Sequence, residues 1–213
     1  MFQRPAQQSE KLRKYHQIFI VALIALNSLK CIDSHKAPSV DPWLSFNWPA
    51  ADSLFQNDKY WIGGDGGYSI DLGNERVLWL FGDSWIDSNG SGSRKNAVMV
   101  SNTVAIQQGY DPSKASIEFF WNLKRGKAEA YFPDNDRVRY WPGHGIRVGD
   151  KLLLFLMGVY SSDIGLGFEV KDWKPLLIFN PDDDPDRWEI KYFEAISNDL
   201  QIIVGSGGVL QWN

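Results

Sequence analysis

Residues 60–86 read YWIGGDGGYSIDLGNERVLWLFGDSWI. Tyr68, Ile70 and Leu72 alternate with Ser69 and Asp71, and residues 77–81 form an apolar run that contains Trp79 and Phe81. Between the two, Gly73-Asn74-Glu75-Arg76 is a polar turn whose Gly and Asn tolerate positive φ. The pattern predicts a β-hairpin. With Leu72 facing Val77, Asp65 falls opposite Ser84 and one place from Asp83, so two carboxylates 18 positions apart meet at the open end of one hairpin. Facing or diagonal positions there are about 5–8 Å apart. Gly63, Gly64, Gly66, Gly67 and Gly82 surround the pair, which suits backbone lying close to a ligand or held in unusual φ/ψ. The competing reading is a turn-rich strand end with solvated aspartates.

Working outward, the chain reads as strands and turns with no long amphipathic helix. Residues 41–58 are irregular, 88–93 form a polar loop, and 97–107 and 117–121 read as strands. Residues 124–136 are charged and loop-like. Residues 140–158, YWPGHGIRVGDKLLLFLMG, predict a second hairpin whose Gly149-Asp150 suits a two-residue type II′ loop. Residues 166–170, 173–179 and 188–195 are further strands, 180–186 (NPDDDPD) a turn, and 202–210 the start of another strand. Trp61-x-Gly-Gly-Asp65-Gly precedes the first hairpin and Trp141-Pro-Gly-His144-Gly the second, 80 positions later. Apolar returning strands and a recurring unit of this length fit β-propeller blades stacked on both faces. A β-sandwich explains the alternation but not the repeated glycine motif.

The 213 residues suffice for one domain with a core; 44% are hydrophobic and 23% charged, so the chain is globular. The net charge of −4 and the lack of a basic stretch in the globular part argue against nucleic acid. Three histidines cannot build a three-His metal site from the globular part alone, one cysteine excludes an intramolecular disulfide, and no metal or cofactor is expected. Arg4, Lys11, Arg13 and Lys14 precede the apolar run 18–26, the pattern of a secretory leader and too short to span a bilayer comfortably. Residues 1–39 are therefore expected to be leader and linker, and 40–213 the globular part. The protein is expected to be secreted or periplasmic. Cys31 is the one position for a lipid anchor, although Lys30 fits a lipobox poorly.

The motifs WIGGDGGYSIDL, RVLWLFGDSWI, VSNTVAIQQG, RYWPGHGIRVGDKLLLFL and IIVGSGGVL, in that order over roughly residues 58–210, resemble the family catalogued as domain of unknown function 4185. That resemblance implies a five-bladed β-propeller related to glycoside hydrolase family 43, with some members classed in glycoside hydrolase family 183 as endo-D-arabinanases. It implies that Asp65 and Asp83, in GGDG and FGD, belong to the active site. About two blades and the start of a third are present, and five blades need more than about 300 residues at this spacing. The expectation is an incomplete, truncated propeller.

Glycoside hydrolysis generally uses two carboxyl groups, about 5–5.5 Å apart for retention and 6.5–9.5 Å for inversion, and the pairing estimate spans both. Asp65 is expected as base or nucleophile and Asp83 as the second carboxyl, with the roles exchangeable. Trp61, Trp85 and Trp141 adjoin the glycine motifs as stacking candidates for sugar, and His144 and Asn102 are further candidates for substrate contact. Arg139 and Arg147 read as surface charge. NPDDDPD lacks the spacing of a Ca²⁺ loop, and the glycine-rich motifs lack the Lys-Ser/Thr of a P-loop. Two functions compete: a hydrolase acting on a carbohydrate, arabinan being one candidate, and a noncatalytic carbohydrate-binding module or inactive remnant on the same scaffold.

Overall fold

The computed structural model describes residues 47–199, and everything below lies in the compact unit that begins at Trp48. The expected leader, Cys31 and the strand expected at 202–210 lie outside the described residues.

A short helix, α1 (Pro49–Gln56), opens the unit where an irregular segment was expected; Pro at its first turn carries no N–H that would go unsatisfied. The rest is β-structure. The first sheet has the order β1 (Trp61–Gly73), β2 (Arg76–Ile86), β4 (Thr103–Gln108), β5 (Ser116–Phe120), with β3 (Val98–Val100) also on β2. The second has the order β8 (Arg139–Val148), β9 (Lys151–Ser161), β10 (Phe168–Ile178), β11 (Ile190–Tyr192), with β12 (Ile196–Ser197) also on β10. A two-stranded ribbon, β6 (Asn122–Lys124) and β7 (Lys127–Glu129), stands in the stretch read as loop. All pairings are antiparallel, so the fold is all-β, and among the described residues no sheet closes on itself.

Alternation sets how the sheets pack. Ile70, Leu72, Leu78, Leu80, Val104 and Ile106 project from one face of the first sheet, and Leu152, Leu154, Leu156, Leu176 and Ile178 from the second; all belong to one core. The other face of the first sheet carries a second core with Trp61, Phe81, Ala105 and Phe119. Both faces of β2 are thus covered, as its nearly continuous apolar run requires.

Both expected hairpins form. Asn74 (φ 52°) and Glu75 (φ 58°) both take positive φ in the first loop, the geometry of a type I′ turn. In the second, Gly149 takes positive φ (63°) while Asp150 does not, as a type II′ loop requires. The first register differs by one from expectation: Asp71, not Leu72, faces Val77. The span 97–107 breaks at Ser101-Asn102, and the spans 166–170 and 173–179 are one strand, β10, bulged between Val170 and Asp172.

Candidate active site

The open end of the β1–β2 hairpin is irregular in a specific way. Gly64 pairs with Ser84 and Gly66 with Phe81, so Asp65 alone opposes two residues, Gly82 and Asp83. This bulge in β2 re-aims the residue that follows Gly82, and so carries Asp83 to the side of Asp65. A compensating extra residue at Gly67 restores the register at Tyr68. Gly66 (φ 81°) and Gly67 (φ 89°) occupy backbone conformations that side chains resist. Gly82 serves differently: Asp65 Oδ1 rests where a Cβ at residue 82 would project.

The strand beneath Asp83 is pinned by a buried chain of donors. Trp61 Nε1–H donates to Thr103 Oγ1 at 3.0 Å, and Ser84 Oγ–H donates to the Gly82 carbonyl at 2.8 Å. The 2.9 Å contact between Thr103 Oγ1 and Ser84 Oγ is then donated by Thr103, because the Ser84 proton is already used. Ser84 and Thr103 are fully buried, so this chain has no competition from water. From the second sheet, Trp141 Nε1–H donates to Asp83 Oδ1 at 2.9 Å.

Electrostatics perturb Asp65. Asp65 is raised above the ordinary carboxylate range, first by partial burial and then by the charge of Asp83, while backbone N–H groups of residues 83 and 65 pull the other way. Asp65 keeps one side open to solvent, so water screens this displacement.

A third carboxylate, unforeseen from the sequence, adjoins the pair. A cavity of about 350 Å³ is lined by Asp83, Ser101, Asp134 and Arg139, among others. Asp134 Oδ2 accepts a short hydrogen bond from Ser101 Oγ–H, and Oδ1 accepts from Tyr140 N–H at 3.0 Å. Partial burial raises the Asp134 pKa and the charge of Asp83 raises it further, against the donors and Arg139. Its loop is rigidly turned: Asn135 Oδ1 accepts from the N–H groups of Arg137 and Val138 at 2.9 and 3.0 Å. Residues 124–136 gave no alternation from which to place a side chain; the only local signal was Pro133-Asp134 just before a strand.

The other expected site residues disperse. Trp61 is 4% exposed and stacks on Phe119 with centroids 4.1 Å apart, so it supports the strand and offers no face to a sugar. Asn102 is fully buried and uses all its hydrogen-bonding groups: Nδ2 donates to the Phe132 and Tyr140 carbonyls, and Oδ1 accepts from Phe132 N–H. It joins the linker to both sheets and does not face a channel. His144 packs edge-on to Tyr68, 6.3 Å between centroids, with Nε2 3.2 Å from the Ser69 carbonyl. It bridges the sheets apart from the aspartates. Trp85 is half-buried beneath the Arg94 guanidinium, 5.5 Å from the ring centroid, and Trp141 is half-buried and packs against Phe168. Of the aromatic candidates, only Trp141 touches a carboxylate of the pair. Arg147 is no free surface charge, since it grips Asp182 with two hydrogen bonds of 2.6 and 2.7 Å. The described residues hold no group of three or more His, Cys, Asp or Glu arranged for a metal.

Residues 50–200 match the family model described as "Domain of unknown function (DUF5005)", and the chain belongs to that family. This is a different domain of unknown function from the 4185 family that the motifs resemble. No curated protein matches the chain. Among solved structures it is similar to a "putative hydrolase" from Bacteroides ovatus, with TM-score 0.55 and 16% identity. The alignment covers 71% of this chain and 47% of that one, so the chain spans about half of that structure's length. At this identity the likeness concerns the fold.

Proposed function

We propose that this member of the DUF5005 family carries the paired-carboxylate centre of a hydrolase that cleaves glycosidic bonds. The observation that carries the reading is the bulge at Gly82-Asp83, which sets two carboxyls side by side at an open hairpin end. Hydrolysis of an acetal needs one carboxyl that holds a proton and one that is ionised. The upward displacement of Asp65 suits it to donate that proton to the departing oxygen. Asp83, held by the Trp141 indole N–H, is then the base or nucleophile. This exchanges the roles first assigned from the sequence.

The wider reading draws on the same features. Both large sheets contain four-stranded antiparallel meanders, and they stack through a shared apolar core; this supports two neighbouring blades of a β-propeller of the glycoside-hydrolase type. Furanose polymers such as arabinan are the first substrates to try, and a leader at 1–39 would place the protein outside the cytoplasm. Incubating the full chain with a panel of arabinans and pyranose polysaccharides, and assaying reducing-sugar release, tests the proposal. Release from one class supports it. Binding without release would assign the mouth to a carbohydrate-binding module instead.

A further inference from the structure

We infer that Asp134 is a positioning residue of this centre: it anchors the Tyr140–Trp141 step from which the indole N–H reaches Asp83, beside the cavity that Asp134 and Asp83 both line. Two consecutive residues of β8 hold two different carboxylates. Tyr140 N–H donates to Asp134 Oδ1 at 3.0 Å, and Trp141 Nε1–H donates to Asp83 Oδ1 at 2.9 Å. Asp134 is itself fixed from the first sheet by Ser101, next to Val100, the strand partner of Ser84. The loop thus ties the end of β8 to the strand that carries Asp83. Removing the Asp134 acceptor leaves the Tyr140 N–H unpaired, with only the Asn102 contact to its carbonyl and the pairing with β9 to hold this step, so the step relaxes and the indole loses its aim at Oδ1. Misplacement by about 1 Å is enough to cost about a hundredfold in rate.

The charges facing Asp134 come from several elements. Asp83 on β2 opposes its ionisation and Arg139 on β8 favours it. Lys124 on β6, Glu129 on β7 and Asp136 on its own loop line the same cavity. Asp83 also opposes the ionisation of Asp65. The three aspartates therefore form a coupled row with Asp83 in the middle.

The rate arm of the test rests on the hydrolase reading; the spectroscopic arms do not. On the labelled full chain, the Trp141 indole N–H resonance is followed in the wild type, Asp134→Ala and Asp134→Asn. Asp134→Ala should move it toward the value of a free indole and lower any turnover about a hundredfold. Asp134→Asn keeps an acceptor for Tyr140 and should restore the wild-type resonance. Carboxyl titration of Asp134 should show its midpoint falling in Asp83→Asn, because a like charge has been removed. An indole resonance indifferent to Asp134→Ala, or an Asp134 midpoint indifferent to Asp83→Asn, overturns the inference. A wild type without hydrolytic activity would sink the function proposed above while the spectra still decide this one.

Discussion

A methyl group at residue 82 would overlap Asp65 Oδ1, so the pair is sensitive to a position that bears no charge. Gly82→Ala should displace the Asp65 carboxyl and reduce turnover by about 10²-fold or more while leaving the circular dichroism spectrum unchanged. Asp65 also makes a pH prediction with a definite sign. Its folded pKa lies above the unfolded value, so its contribution to stability is fully present below the unfolded pKa, about 4, and is lost as pH rises through the folded one. Asp65→Asn should therefore melt at or above the wild-type temperature at pH 7, and the advantage should vanish in scans below about pH 4. At Asn102, three hydrogen bonds end on one buried amide. Asn102→Ala leaves those backbone groups unpaired and should cost about 3 kcal/mol in urea denaturation. The juxtaposition of Asp65 and Asp83 was legible because a glycine-rich hairpin end announces itself in sequence. Asn102 and Trp61 were misplaced because a polar or aromatic residue beside a glycine motif looks the same whether it points into a cleft or into the protein.

Strand pairing explains what was legible among the elements and what was not. The two hairpins were readable from alternation and turn chemistry, and the turn types followed from which residue takes positive φ. The register was one place out because a bulge between the Asp71–Val77 and Gly73–Arg76 pairs, just before the loop, shifts it, and nothing in the alternation announces a single extra residue. The carboxylates still met because the bulge between Gly64 and Gly66 sets Gly82 and Asp83 together opposite Asp65. Strands of three residues, such as β6 and β7, are too short for periodicity to reveal. The type I′ loop carries a non-glycine residue, Glu75, at φ 58°. Glu75→Gly produces the Asn-Gly pair that this turn prefers and should raise stability by about 1 kcal/mol, read from the urea midpoint.

Across the molecule, the sheets are fastened twice: by the apolar core between their faces and by arginines at the hairpin ends. Arg76 donates to the carbonyls of Pro181, Asp182 and Asp183, and Arg147 donates to Leu72 O as well as to the Asp182 carboxylate. The acidic NPDDDPD segment is thus a docking turn for two arginines. Distant charge pairs of this kind leave no mark on local sequence, which is why Arg147 read as surface. Arg147→Met should destabilise the chain by about 1 kcal/mol, discounted for the half-exposed carboxylate. Arg147 lowers the Asp182 pKa, so this contribution is present above the unfolded value near 4 and should fade as pH drops below it.

The proposal that Asp65 and Asp83 together break a glycosidic bond is tested by comparing polysaccharide turnover by the wild type, Asp65→Asn and Asp83→Asn. Each substitution should reduce release of reducing sugar by about 10²- to 10⁴-fold with the melting transition retained. Turnover that persists in both variants would contradict the assignment.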